Sequence, residues 1–115
     1  MNLDKKALIP CSPASNALSE HEINQLLNEL NAWYLTPENG TQKITRQFEF
    51  SNYSSAQKFA NAIALLAEQE NHHPRVCIEW GKATVSWWTH ILNGLFINDF
   101  IMAARCDIIF SELKK

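Results

Sequence analysis

Clustered basic charge is missing from this chain of 115 residues. Ten Lys and Arg stand against twelve Asp and Glu, the net charge is −2, and no basic run is longer than a pair. Neutralising nucleic-acid phosphates takes a basic patch or stripe, so direct nucleic-acid binding is not expected. Cysteine is scarce too. Cys11, Cys77 and Cys106 are odd in number, widely spaced and without a C-x-x-C. That excludes a disulfide framework and a thiolate zinc site, and fits a reducing cytoplasm. Long apolar runs are absent as well: Ala7-Leu8-Ile9, after Lys5-Lys6, stops at Pro10, far short of an export-signal core or a membrane span. A cytoplasmic location without a membrane partner is the expectation. There is no internal repeat and no low-complexity tract.

What the chain does have is core material. Hydrophobic residues make up 46% and charged ones 19%, with four Trp and six Phe, which is a globular composition at a length suited to one domain. Residues 1–17 mix Lys, Pro, Ser and Asn without an apolar period, so they read as a flexible arm or a strap over the surface, with no function assigned. Residues 18–115 form the domain.

Within it, Ser19-Glu20-His21-Glu22 has capping-box spacing and Ile23, Leu26, Leu27 and Leu30 follow at i, i+3, i+4 and i+7, predicting a helix to about Asn31. Trp33-Tyr34-Leu35 and Gln42 to Phe50 flank a turn containing Asn39-Gly40, a first hairpin. Ser51 or Asn52 can cap a second helix with Ala56, Phe59, Ala60, Ile63 and Ala67 in one stripe, which Pro74 must end. Val76, Ile78 and Trp80, then Val85 and Trp87, alternate around Gly81-Lys82 as a second hairpin. A last helix from about Asn98 to Leu113 is apolar on more than one side, through Phe100, Ile101, Met102, Ala104, Ile108, Ile109 and Phe110. A helix with two apolar sides implies self-association. The order α-β-β-α-β-β-α predicts an α+β fold: a four-stranded antiparallel sheet with helices on one face and a polar face left open.

If Gly81-Lys82 is a two-residue loop, Trp80 faces Ala83, Ile78 faces Val85, Val76 faces Trp87, and the ladder ends with His73 facing His90. Opposed side chains share a face with Cβ atoms about 4.5–5.5 Å apart, so these two imidazoles should meet on the polar face, with His72 leaning in from the helix exit. An imidazole titrating near pH 6.5 can give or take a proton at neutral pH, so converging rings suit acid–base work. Trp88 would supply a flat wall for a planar heterocycle, with Thr89 beside it as a further substrate contact. Asp99 or Glu68 could fix a histidine tautomer or accept from a ligand amine.

Each residue also has a plain reading. An adjacent His-His is often solvated or capping, Glu68 is a solvated helix residue, and Asp99 is a helix-start charge favoured by the dipole. Trp80 and Trp87 read as core. Three histidines could bind zinc, but neighbours on an extended chain diverge and no Cys or carboxylate stands at a familiar ligand spacing, so no metal is expected.

Together, Glu68, His72-His73-Pro74, Trp80, His90 and Asp99, with Leu18-Ser19, Phe48 and Phe50, and Asp99-Phe-Ile-Met-Ala-Ala, resemble the signature of the pterin-4a-carbinolamine dehydratases over roughly residues 18 to 110. Relatives often carry a hydroxyl residue near the start of the last helix, where this chain has Phe96-Ile97-Asn98. The resemblance implies three helices on one side of the sheet, a homodimer or homotetramer, and dehydration of a 4a-hydroxytetrahydropterin to quinonoid dihydropterin. That step belongs to tetrahydropterin recycling for an aromatic amino acid hydroxylase. It implies His72, His73 and His90 as catalytic residues with Glu68 and Asp99 nearby, and no cofactor, the pterin being the substrate. Two other roles come with the family: dimerisation partner of a transcription factor, and a molybdopterin-linked function on the same fold.

Overall fold

The structure, a computed structural model, describes residues 2–114. Helix α1 (Glu20–Leu27) starts at the reciprocal cap anticipated from its sequence: Ser19 Oγ accepts from the Glu22 N–H and Glu22 Oε1 accepts from the Ser19 N–H. Strands β1 (Tyr34–Leu35) and β2 (Ile44–Glu49) form the first hairpin, helix α2 spans Tyr53–Glu70, β3 (Arg75–Glu79) and β4 (Lys82–Trp87) form the second hairpin, and helix α3 spans Ile97–Leu113. The four strands are antiparallel in the order β1-β2-β4-β3. The expected α+β architecture, three helices with one four-stranded antiparallel sheet, is the observed one.

Alternation places Ile44, Phe48, Ala83, Val85 and Trp87 in the core under the helices, while Thr45, Thr84 and Ser86 belong to the opposite face. There Thr45 Oγ1 links Thr36 Oγ1 at 2.6 Å to Ser86 Oγ at 2.9 Å. The stripe of α2 is buried as its spacing requires, at Ala56, Phe59, Ala60, Ile63 and Ala67.

The register of the second hairpin differs from the expected one by two residues. Ile78 pairs with Ala83, Val76 with Val85 and Arg75 with Ser86, so the loop is Trp80-Gly81. The left-handed position lies at Gly81, φ +77°, the third residue of the turn, where type II geometry requires φ above zero. A Cβ there would also stand 3.2 Å from the Phe50 carbonyl oxygen. Trp80, read as core, is therefore pushed to the turn and is 73% exposed; Trp87 is fully buried. Because strand side chains repeat every two residues, a two-residue shift keeps every residue on its expected face.

The N-terminal segment lies over the surface as a strap. Leu3, in a 3-10 turn (Leu3–Lys5), is buried in the core. Arg105 of α3 donates to the Asp4 and Lys6 carbonyls at 3.3 and 2.7 Å, and Leu18 N–H bonds the Leu95 carbonyl. Leu3 and its turn thus pack against α3. Among the described residues, no helix is long and apolar enough to cross a membrane.

Candidate active site

Two left-handed asparagines position the histidines. Asn71, φ +53°, ends α2, and its neighbour's amide, His72 N–H, reaches back to the Ala67 carbonyl at 3.1 Å. Asn tolerates this conformation without the strain a branched side chain would suffer. The chain then reverses toward β3 with both imidazoles at the junction, and Pro74 holds the residue before it extended. On the other side Asn93, φ +51°, ends a 3-10 turn (His90–Leu92) closed by Thr89 N–H to the Gly94 carbonyl at 2.8 Å. His90 thus stands just past β4 and not within the ladder.

The two junctions meet nonetheless. His90 Nε2–H donates to the His73 carbonyl at 3.3 Å, a bond from ring to backbone where the ladder argument expected two facing side chains. His73 Nε2 bonds Glu68 one turn back on α2. His72 Nε2 lies 2.7 Å from Asp99 Oδ1, with its ring stacked on the buried Trp87 at 5.4 Å and 20°.

Asp99 anchors this arrangement. It is 0% exposed and occupies the third position of α3. Its Oδ2 accepts from Thr89 Oγ1 at 2.8 Å and from the Phe96 N–H at 2.9 Å, closing the helix start with a carboxylate. Because those donors fill Oδ2, Oδ1 is left to accept from His72 Nε2–H. That assigns the neutral ring's proton to Nε2 and its lone pair to Nδ1. The same logic applies to His90, whose carbonyl partner can only accept. All three histidines therefore have Nε2 engaged, and Nδ1 is the nitrogen left for exchange.

His72, His73, His90 and Thr89 line one cavity of about 620 Å³. Asp99 lies beneath it, sealed from any ligand, and reaches the cavity only through His72. Glu68 reaches it only through His73. Trp88 is not on the cavity wall. It stacks behind His90, ring centroids 4.7 Å apart at 23°, with Lys43 Nζ 4.0 Å and Arg75 Cζ 5.8 Å from its own ring. His21 is exposed on α1 and far from these contacts in the chain. Among the described residues, no group of three or more His, Cys, Asp and Glu is arranged to hold a metal ion.

Sequence reasoning missed Lys43, Asn98 and the place of the strap at the cavity. Lys43 is buried on the polar face because Glu38 pairs with it at 2.6 Å, and Glu38 also bridges to Arg75 at 2.9 Å. Those two hydrogen bonds, Lys43 first, hold the Glu38 carboxyl below its ordinary 4.5. A carboxyl lowered on folding adds stability above its ordinary value and loses it as pH falls through the lowered one. In a carboxyl NMR titration, Glu38 should titrate below 4.5, and Lys43→Met should move that midpoint upward. An unmoved midpoint would show that Lys43 does not hold it.

Fold and site together define a small α+β domain with a histidine-lined cleft beside the open face of its sheet, where a buried carboxylate fixes one imidazole. The sequence profile described as Pterin 4 alpha carbinolamine dehydratase matches residues 16–109. Proteins provisionally named pterin-4-alpha-carbinolamine dehydratase are 44% identical to this chain. The one from Chlorobium luteolum aligns over 96% of this chain and 97% of its own length; the one from Marinobacter nauticus aligns over 95% and 98%. A crystal structure described as a transcriptional coactivator/pterin dehydratase from Brucella melitensis superposes with a TM-score of 0.73 at 35% identity, covering 82% of this chain and 98% of that one. A pterin dehydratase-like protein described as a RuBisCO assembly factor in the alpha-carboxysome shares the fold, with a TM-score of 0.57 at 20% identity over 69% of this chain and 89% of that one. The chain belongs to the pterin 4 alpha carbinolamine dehydratase family.

Proposed function

We propose that the chain is a hydro-lyase that dehydrates 4a-hydroxytetrahydropterins to quinonoid dihydropterins, the water-losing step of tetrahydropterin recycling. The observation that carries this reading is the set of three imidazoles around one cavity, each with Nε2 occupied and one backed by a sealed carboxylate. In the reaction the C4a–O bond breaks, the N5–H bond breaks and C4a=N5 forms. The hydroxyl leaves as water once it has received a proton, and a base takes the proton from N5. The substrate's oxidation level is unchanged, so histidines alone can supply the chemistry.

His72 is the base in this scheme. When its Nδ1 takes the N5 proton, the Asp99 carboxylate stabilises the imidazolium that forms, as the carboxylate does in a hydrolase triad. His90 acts as the acid in its imidazolium form: Nδ1–H protonates the departing hydroxyl while Nε2–H stays on the His73 carbonyl, leaving the neutral ring. His73, tied to Glu68, orients the pterin and exchanges protons with solvent. Exposed Leu65 and Ile108 support the further proposal of a homodimer or homotetramer, and the physiological setting is that of an aromatic amino acid hydroxylase.

Stopped-flow absorbance with chemically generated 4a-hydroxytetrahydropterin tests the scheme. His90→Ala should lower the dehydration rate by about 10²- to 10⁴-fold, the usual contribution of one general acid. Retention of the full rate would remove His90 from the chemistry.

A further inference from the structure

Ligand pockets are lined mainly by apolar side chains, with a few polar groups that fix orientation. Here the histidine side of the cavity is polar: His72, His73, Thr89 and His90 come from the two junctions, with Asn71 and Asn98 nearby. Trp88, the aromatic platform expected from the sequence, stands behind His90. Apart from Ile91, the apolar side chains that line the cavity come from the N-terminal strap: Leu8, Ile9 and Pro10, followed by Cys11.

The strap is held on both sides of that stretch. Before it, Arg105 binds the Asp4 and Lys6 carbonyls and also Glu70 at the end of α2, at 2.8 Å. After it, Leu18 is tied to Leu95. At its centre Asn98, beside Asp99 at the start of α3, accepts from the Ile9 N–H and donates to the Ile9 carbonyl, both at 2.8 Å. The Ile9 backbone is thereby satisfied on both sides while the residue stays 50% exposed. An apolar side chain at the cavity on a backbone fixed in advance can bind without first losing conformational freedom.

We infer that the strap, through Ile9 with Leu8 and Pro10, is the apolar wall on which the flat pterin ring packs, and that the Asn98 clamp sets its distance from the histidines. The inference rests on the pterin reading of the cleft. Ile9 binds ground state and transition state alike, because it touches the ring and not the atoms that exchange protons. It therefore governs KM and leaves kcat alone.

The test compares the full-length protein with Ile9→Ser in two measurements: fluorescence titration with 6-methyl-7,8-dihydropterin, and steady-state dehydration. The variant should bind the dihydropterin about tenfold more weakly and raise KM about tenfold, with kcat within about twofold, as loss of part of one aliphatic contact predicts. Its unfolding midpoint should match the wild type, since Ile9 lies outside the core; Ile9→Ala, a smaller change, serves as a second variant should serine disturb the strap. Equal pterin affinity in wild type and both variants would overturn the strap's role and leave the dehydratase reading standing. Absence of pterin binding by the wild type would overturn the dehydratase reading itself, and the wall with it.

Discussion

Asp99→Asn is expected to slow dehydration by about 10²- to 10⁴-fold while the protein stays folded. The amide is nearly isosteric with the carboxylate. Its one oxygen can keep accepting from Thr89 Oγ1 and the Phe96 N–H, the bonds that close α3. Its NH₂ must then face His72 Nε2, where Oδ1 now accepts. Two donors cannot face each other, so the ring's single N–H proton moves from Nε2 to Nδ1 and Nε2 becomes the acceptor. The nitrogen turned to the substrate is then an N–H instead of a base, and no negative charge is left to stabilise an imidazolium. The same exchange behind a hydrolase histidine costs about 10⁴ in turnover; His73 and His90 in the same cavity make a smaller loss equally consistent. Stopped-flow rates give the magnitude, and ¹⁵N chemical shifts of the His72 ring report the tautomer. Because the cap survives, the unfolding midpoint should move by no more than about 5 °C. A variant with the wild-type rate would show that the buried carboxylate orients nothing the reaction uses.

This dyad was only partly legible in the sequence. The spacing of His72, His90 and Asp99 made them candidates, and period-two alternation placed His73 and Trp88 on the polar face in spite of a wrong register. Alternation carries face but not registry: a shift of two residues leaves it unchanged. Gly81 meets the demand for positive φ in either loop, as the third residue of a type II turn or the second of a type II′ turn, so the glycine alone does not distinguish Trp80-Gly81 from Gly81-Lys82. The two asparagine reversals were less accessible, since Asn71 and Asn93 look like ordinary polar residues until the helix and the 3-10 turn ending at them are known. Nothing in residues 8–11 marks the strap as a cavity wall. Its place depends on Asn98, a partner almost a whole chain length away, and a contact of that range leaves no local pattern.

The largest loss of stability is expected from Phe48→Ala, about 3–5 kcal/mol. Phe48 is fully buried on β2. Its ring lies 4.5 Å from Phe59 of α2, 5.0 Å from Phe110 of α3 and 5.9 Å from Trp33, with the Arg46 guanidinium 4.4 Å from its centroid. Truncation removes the ring's apolar burial and its edge contacts, and leaves a cavity among three elements that cannot all close inward. It also uncovers one side of Arg46, whose pairing with Asp107 at 2.7 Å offers little compensation. Burial pushes the Asp107 carboxyl up in spite of hydrogen bonds from Trp33 and Arg46, so desolvation outweighs the attraction there. A domain of this length has roughly 6–17 kcal/mol in total, so the variant should keep its fold at 25 °C but lose about 15 °C in unfolding midpoint. Phe50→Ala is the internal comparison: its ring meets the same Phe59 and Phe110 at 5.4 Å but is only half-buried, and its loss should be about half as large. Chemical denaturation should show a lower midpoint with an unchanged slope, the sign of a native state weakened without a change in compactness. Phe48 touches none of the histidines, so kcat at a temperature where the variant is folded should stay within about threefold. If Phe48→Ala and Phe50→Ala fell equally, or by less than about 1 kcal/mol, the aromatic cluster would not be what joins α2 and α3 to the sheet. Some other contact would then have to set the separation between His72, at the exit of one helix, and Asp99, at the entry of the other.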